Sequence, residues 1–179
     1  MITEEEIRKE IFKGDWEYKY KADVDLVISH KQYSQDLEPK GGSFVRTETL
    51  EEDMEVMTEA VFYSDENSLY LVYDESVTTE LQDCTTILTL NEGIVHMNRY
   101  AKEILGSVDM AFTEGEKHVT RYQTPIGGIN LELVTNKVEY EVNDEGEGKI
   151  TLDYNIKLEG LMSRRNRLII ESIRNERKK

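Results

Sequence analysis

Four polar residues in the second half of the chain have side chains that could do chemistry together. They are Arg99, His118, Tyr122 and Thr124. Arg99 has the strand parity of Val95 and Met97, so its guanidinium faces an interior if those apolar side chains do. A buried guanidinium is costly without an anion, and neighbouring hydroxyl groups would help it to hold a carboxylate or phosphate. The set therefore predicts a binding site for a small apolar or amphipathic ligand. A ligand with an anionic head group would suit the guanidinium of Arg99.

A second interpretation of the same residues stays open in the sequence. Arg99 could point to solvent or pair with Asp109 on the next strand, while Tyr122 fills the core. Side chains commonly fill the interior of small barrels, which favours this interpretation. Under it, the four residues are structural and bind no ligand.

The sequence contains no motif of a catalytic or metal site. The three histidines, His30, His96 and His118, are far apart, and Cys84 is the only cysteine. Local zinc sites use closely spaced pairs of such residues. Gly127-Gly128 is not followed by the Lys-Ser/Thr of a phosphate-binding loop. We therefore expect a protein that is not an enzyme and that uses no metal and no cofactor.

The chain of 179 residues has a formal net charge of −15, which repels nucleic acid and anionic membrane surfaces. Its first residues are acidic and lack the cationic and apolar segments of a signal peptide. A single cysteine suits a reducing compartment. We therefore expect a cytoplasmic monomer or homodimer without nucleic-acid or membrane partners, in which residues 175–179 are a basic tail.

The N-terminal residues have the pattern of a short helix that leads into a strand. Thr3 and Glu6 are spaced as a capping box, and apolar residues then recur at helical spacing. Residues 1–14 are therefore predicted to be an N-terminal helical segment. From Trp16 to His30 the even positions are mostly apolar or aromatic and the odd positions are mostly charged, which predicts one long half-buried strand.

Short alternating segments recur at intervals of about ten residues through the rest of the chain, separated by Gly, Asn and Asp turns. Beyond Thr135 the apolar positions change from odd to even, which predicts a β-bulge at 135–137. Residues 15–174 are therefore predicted to form one mostly-β domain, a single antiparallel up-and-down barrel of about eight to ten strands.

One connection between the early strands is long. Residues 34–50 show no sustained periodicity and contain Pro39, Gly41 and Gly42. They are predicted to be a loop, long enough to cover the mouth of the barrel as a lid.

A set of residues in the second half of the chain has the order and spacing of a known family. The residues are Gly93 with Arg99, Met110-x-Phe112, Tyr122 with Gly127, Ile129, Leu131 and Thr135, and the run from Gly148 to Tyr154. In these the chain resembles the YwiB-like bacterial family of unknown function, whose known fold is a lipocalin-like, or calycin, barrel. Ala101 stands where the family has a glycine, and the N-terminal helix and the 34–50 connection look like additions. The resemblance implies a small cytoplasmic bacterial protein and no catalytic residues.

Two functions remain as expectations. The first is non-enzymatic binding of a small apolar or amphipathic ligand inside the barrel, which requires space in the interior. The alternative is an interaction or scaffold protein, whose filled barrel presents an acidic outer face to a basic partner. A packed interior beside exposed apolar side chains would favour the alternative.

Overall fold

The computed structural model describes six parts of the chain, which are residues 2–11, 16–75, 84–101, 108–124, 127–159 and 162–178. Within them the chain forms ten β-strands and a short N-terminal helix. The strands are β1 (Tyr20–Lys40), β2 (Ser43–Ser64), β3 (Leu69–Asp74), β4 (Cys84–Asn91), β5 (Ile94–Ala101), β6 (Val108–Phe112), β7 (Lys117–Thr124), β8 (Gly127–Val142), β9 (Gly148–Leu158) and β10 (Met162–Arg174). Helix α1 (Glu4–Glu6) continues as a π-helical turn over Ile7–Ile11, and a 3-10 turn over Glu176–Lys178 follows β10.

The ten strands form one antiparallel sheet in the order β6-β5-β4-β3-β2-β1-β10-β9-β8-β7. The rings of Phe112 on β6 and Tyr154 on β9 lie 4.8 Å apart, although these strands are distant in the sheet order. The sheet must therefore curl, so that its end strands β6 and β7 approach each other. The predicted mostly-β, up-and-down antiparallel architecture is confirmed, and the lipocalin-like assignment stays a prediction.

A continuous apolar core lies inside the curled sheet. Buried side chains from β1 to β6 and from β8 to β10 form it. Phe62, Phe112 and Leu133 are among its fully buried members. Because alternate residues of each strand face inward, the period-two pattern of the sequence sorts these side chains into one interior. The removal of this apolar surface from water is the main driving force for the curling of the sheet.

Two local irregularities occur where the sequence predicts them. The register between β8 and β9 shifts between Thr135 and Lys137, and this bulge lets Leu133 and Val138 both contact the core despite their different parity. The turn between β4 and β5 has φ of 49° at Glu92 and 78° at Gly93. Positive φ at both central residues gives a turn that matches the twist of a hairpin.

The N-terminal helical segment packs on the outside of the curled sheet. A second apolar cluster there contains Ile7, Trp16, Tyr63, Tyr70, Val72 and Ile87. The capping box is present, because Thr3 and Glu6 exchange hydrogen bonds between side chain and backbone. The predicted helix is confirmed as far as Ile11, and residues 12–15, which include its predicted end, lie outside the described residues.

The prediction of one strand from Trp16 to His30 is wrong at its start. Strand β1 begins only at Tyr20, and Val24 faces the core, whereas Trp16 and Tyr18 pack on the opposite side with Tyr63. The ring centroids of Trp16 and Tyr63 are 5.3 Å apart. The residues before β1 therefore do not continue its alternation of inward and outward side chains. Their aromatic rings pack in the outer cluster instead.

Asp65 fixes this outer cluster through four hydrogen bonds. Its Oδ1 accepts from the backbone N–H groups of Asn67 and Ser68, at 2.9 and 2.8 Å. Its Oδ2 accepts from the Tyr70 hydroxyl at 2.7 Å and from the Trp16 indole at 3.3 Å. Burial alone would raise the pKa of Asp65, but these four donors outweigh it and hold the pKa below the usual 3.8.

Replacement of Asp65 by asparagine should destabilise the protein by about 2 kcal/mol. Asparagine keeps one acceptor oxygen for the turn, but its amide nitrogen cannot accept from Trp16 or Tyr70. Urea unfolding should show the loss of stability. The fluorescence emission of Trp16, the single tryptophan, should also shift to longer wavelength in the variant. Because the native pKa of Asp65 is lowered, its stabilisation is present above about pH 4 and disappears as the pH falls below that value. A difference between D65N and wild type that is unchanged at about pH 3 would contradict this account.

The predicted loop at 34–50 is not a loop. These residues continue β1 and β2 up to a tight turn that Gly41 and Gly42 form with φ of 59° and 84°. Residues 35–48 extend beyond β10 as a two-stranded hairpin, and residues 49–58 of β2 pair with the part of β1 that also pairs with β10. We define residues 35–58 as the arm. A bulge opposite Gln32 and Tyr33 interrupts the pairing. The arm extends beyond the ends of its neighbours, so much of its surface is exposed to water. Burial therefore does not sort its apolar and polar residues, and the alternation that identifies strands is lost.

A closed ring of side-chain hydrogen bonds holds the base of the arm against the outer face of β8 to β10. Its members are Gln35, Glu48, Arg165, Asp153, Asn136 and Asn155. Within the ring, Arg165 bonds to two carboxylates. Its Nη2 lies 2.7 Å from Oδ2 of Asp153, and its Nη1 lies 2.9 Å from Oε2 of Glu48. All members of the ring except Asp153 line a cleft of about 450 Å³ between the arm and the sheet, together with Arg46 and Val134.

Replacement of Arg165 by methionine should loosen the arm while leaving the curled sheet folded. Hydrogen exchange of the amides of residues 43–50 should become at least about tenfold faster, because the bonds to Asp153 and Glu48 are lost. Arg164, whose side chain bonds, within the described part of the chain, only to the neighbouring Ser163 carbonyl, provides the matched control R164M. Equal exchange in the two variants would show that the ring does not restrain the arm.

Candidate functional site

Arg99 faces the interior of the curled sheet, as one of the two interpretations of the sequence requires. Its neighbours of equal parity on β5, Val95 and Met97, are fully buried. Its Nε lies 3.5 Å from Oε1 of Glu75, and 28% of the Arg99 side chain and 11% of the Glu75 side chain are exposed. The anion that a buried guanidinium requires is therefore supplied by the chain itself.

Hydroxyl groups surround this ion pair. Thr86 donates to Oε1 of Glu75 at 2.6 Å. Tyr73 and Tyr154 are buried in the core, and both lie within electrostatic range of Arg99. Burial is the main cause that raises the pKa of each tyrosine, so both phenols remain neutral donors. The core thus contains one paired cation beside neutral hydroxyl groups.

The opposite side of the interior also carries polar groups. Asn166 on β10 is 2% exposed, and its Oδ1 lies 2.8 Å from Nε2 of His30 and accepts from Gln32 at 3.2 Å. The sheet register places Asn166 directly opposite Tyr154, and Tyr154 directly opposite Thr135. Three adjacent strands thus place polar side chains side by side on the inner face.

Three buried polar atoms of the described side chains have no hydrogen-bond partner. They are Nε of Arg99, Oγ1 of Thr135 and Nδ2 of Asn166. Thr135 and Asn166 flank Tyr154 on either side, and Arg99 interacts with the same tyrosine. We refer to Glu75, Thr86, Arg99, Thr135, Tyr154 and Asn166 as the inner polar layer. Buried polar groups are normally satisfied, so three unpartnered atoms around one residue mark a position that can receive a ligand or ordered water.

The other predicted site residues are not assembled with Arg99 by any described contact. His118 lies at the junction of β6 and β7, where its Nδ1 accepts from the backbone N–H of Ala111 at 3.4 Å. The backbones of Tyr122 and Thr124 pair with Ile129 and Gly127 on β8. The side chains of Tyr122 and Thr124 lie outside the described residues, so their part in the site stays a prediction.

The suggested pairing of Arg99 with Asp109 is wrong. Asp109 instead accepts a hydrogen bond from Asn98 at 3.2 Å, on the face opposite to Arg99. Successive residues of a strand point to opposite faces, so Asn98 points away from the face of Arg99. Its partner on β6, Asp109, lies on the same outer face. Of the two positions that the sequence leaves open for Arg99, the structure shows the inward one, and its partner, Glu75, directly follows β3.

Sequence reasoning missed the other five members of the inner polar layer, and three of these five, Glu75, Thr135 and Asn166, had a detectable signal. Glu75 continues the parity of Leu71 and Tyr73, which face the core. Thr135 continues that of Leu133, and Asn166 precedes Leu168 by two residues. A polar residue that extends an apolar series by one more inward position is thus a candidate member of an interior site.

The described residues contain no group of three or more His, Cys, Asp or Glu side chains that could hold a metal ion. They also contain no helix with the length and hydropathy needed to cross a bilayer. The thiol of Cys84 is buried, and burial is the main cause that raises its pKa. A thiol of raised pKa is mostly protonated at neutral pH and is a poor nucleophile.

Comparisons with known proteins agree with the resemblance seen in the sequence. The crystal structure of the ywiB protein from Bacillus subtilis matches with a TM-score of 0.61 and 20% sequence identity, over 87% of this chain and 95% of that chain. At this identity the match shows a shared fold. A search of curated proteins gives no match. The family model for a domain of unknown function, DUF1934, matches residues 41–170, and the chain therefore belongs to the DUF1934 family.

Proposed function

We propose that the protein is a non-enzymatic, cytoplasmic binder of a small amphipathic molecule, whose polar head group lies in the inner polar layer. The observation that carries this proposal is that two buried atoms on either side of Tyr154, Oγ1 of Thr135 and Nδ2 of Asn166, have no hydrogen-bond partner among the described residues. A fully apolar interior would be more stable than one with unsatisfied polar groups, because each such group retains a desolvation penalty of about 1–3 kcal/mol. A ligand that completes these hydrogen bonds removes the penalty.

The unpartnered atoms define the chemistry of the head group. Nδ2 of Asn166 is a donor, and the Thr135 hydroxyl can donate or accept, whereas Nε of Arg99 faces Oε1 of Glu75 at 3.5 Å. The head group must therefore present oxygen acceptors, as a carboxylic acid, ester or ketone does. Because Glu75 already neutralises Arg99, a full negative charge on the ligand is not required. An uncharged or singly charged oxygen group suits the site better than a phosphate.

The absence of catalysis is part of the proposal and is supported by the protonation of the buried groups. A nucleophile or general base requires a pKa near the working pH. The pKa values of Cys84, Tyr73 and Tyr154 are all shifted upward, mainly by burial. Each of these groups is thereby held in its protonated form, which suits hydrogen bonding to a ligand. A free buried thiol also suits a reducing cytoplasm.

Native mass spectrometry of the protein purified from its own host tests the proposal. We expect a bound small molecule in the wild type and its loss in N166L, which removes the Nδ2 donor, together with the Oδ1 that contacts His30 and Gln32, and places a side chain of similar shape. Asn130, an exposed asparagine on β8, provides the matched control N130L, which should retain the molecule. Thermal melting should show both variants folded.

Two results would contradict ligand binding. One is the same bound mass in N166L as in the wild type. The other is a crystal structure of the natively purified protein in which ordered waters alone satisfy Arg99, Thr135 and Asn166. Buried waters commonly bridge such groups, so the second result would assign the inner polar layer a purely structural role.

A further inference from the structure

We propose that the free edge of β2 in the arm binds an extended cationic segment of another protein as an additional β-strand. This site lies outside the curled sheet and is independent of the inner polar layer. It depends on three properties of the arm, which are its unpaired backbone, its exposed apolar side chains and its charge.

The backbone of β2 is paired on only one side along the arm. Residues 43–58 pair with β1, whereas pairing with β3 begins only at Ala60. Among the described residues, no other strand borders this edge. At about 3.3 Å per residue the edge is about 50 Å long, and it presents a row of unpaired N–H and C=O groups. Such an edge is a template for an incoming strand.

Large apolar side chains of the arm are exposed. Phe44 is 74% exposed, Leu50 is 49% exposed and Met57 is 75% exposed. Apolar side chains gathered on one protruding element are a frequent feature of interaction surfaces, because burying them in a complex is favourable. An added strand would pair with the backbone of β2 and could cover these side chains with its own.

The charge of the edge selects the partner. Five carboxylates of β2 lie in the arm against one arginine, Arg46, and they are Glu48, Glu51, Glu52, Asp53 and Glu55. Glu48 is engaged with Arg165, but Glu51, Glu52 and Asp53 form no ion pair with any described residue. A second copy of this chain would bring like charges together, which opposes self-pairing. A segment in which lysine or arginine alternates with apolar residues matches both the charges and the exposed side chains.

The ring around Arg165 prepares the arm for this role. It fixes the base of the arm to the outer face of β9 and β10. A strand that is already ordered loses less conformational entropy when a partner binds. The arm is thus a rigid template that projects from the curled sheet.

Fluorescence anisotropy with a labelled synthetic peptide of about twelve residues, in which lysine alternates with valine and threonine, tests the proposal. We expect binding that weakens at least about tenfold when salt is raised from low to high concentration. E52K/E55K should weaken binding at least about tenfold. E139K/E141K, which changes the net charge equally on exposed positions of β8, should leave binding within about twofold. The same peptide with alternate backbone nitrogens methylated should not bind, because it cannot pair with the edge.

Three outcomes would overturn the proposal. Equal binding of the methylated peptide would show attraction by charge without strand addition. Equal loss of binding in the two double variants would show a response to net charge rather than to this edge. Sedimentation of the wild type as a dimer that takes up no peptide would assign the edge to a second copy of the chain. Thermal melting of both variants shows that any loss of binding occurs in folded protein.

Discussion

Replacement of Gly148 by alanine should destabilise the protein by about 3–4 kcal/mol, because a Cβ at this position has no space. Gly148 begins β9 with a φ of 151°, and an added Cβ would overlap the backbone carbonyl oxygen of Glu141 and lie 2.7 Å from Cα of Val142. Backbone atoms of a paired strand cannot move aside as a flexible side chain can. The first residues of the β8–β9 hairpin would therefore have to separate. Urea unfolding monitored by circular dichroism measures the loss.

Gly93 provides the matched control for this substitution. Its φ is 78°, and an added Cβ would meet nothing within 4 Å. G93A should therefore lose only about 1 kcal/mol, the cost of an unfavourable backbone angle. Losses of equal size in G93A and G148A would show that backbone angle, and not the close approach of β8, explains the glycine at 148.

Replacement of Arg99 by methionine should destabilise the protein by about 2–3 kcal/mol, since it leaves the carboxylate of Glu75 in the interior without its cation. Only 11% of the Glu75 side chain is exposed, and its remaining described donor is the Thr86 hydroxyl. Methionine fills a similar volume, so lost packing contributes little. The midpoint of urea unfolding should fall while the slope of the transition is unchanged.

The double variant R99M/E75L separates the ion pair from its surroundings. Removal of both charges should restore stability to within about 1 kcal/mol of the wild type, because apolar pairs often replace buried ion pairs without loss. Thr86 would lose its acceptor in the double variant, which limits the recovery. A double variant as unstable as R99M would show that Glu75 is not the main partner of Arg99.

Much of the fold can be predicted from the sequence because burial and alternation coincide in it. Leu133, Leu152 and Ile170 each lie on a strand in which buried and less buried residues alternate, so their spacing alone identifies the strand. The bulge at Thr135 is visible for the same reason, since the interior requires a change of parity there. Prediction fails in the arm, where exposed residues such as Phe44 are not selected for a buried side.

The candidate site could be predicted only in part. The apolar neighbours of Arg99 on β5 indicate an inward position as one of two possibilities, but Glu75 is 24 positions away in the sequence, and no local pattern joins them. Contacts across the interior depend on the curl of the sheet and on the shift between strands, which a single sequence does not encode in its spacing. Asn166 meets His30 for the same reason, across the pairing of β10 with β1.

The pairing of β1 with β10 also sets an order of events during synthesis on the ribosome. Val24 can pair with its partner Arg174 only after residue 174 has been synthesised. Until then β1 and β9 are both open edges, and the nascent chain carries long strands with no neighbour on one side. Pairing between such distant segments is slow and leaves intermediates prone to aggregation. A chain that stops before residue 162 therefore lacks the strand that joins its two halves, and we expect it to accumulate in inclusion bodies instead of folding as a smaller unit.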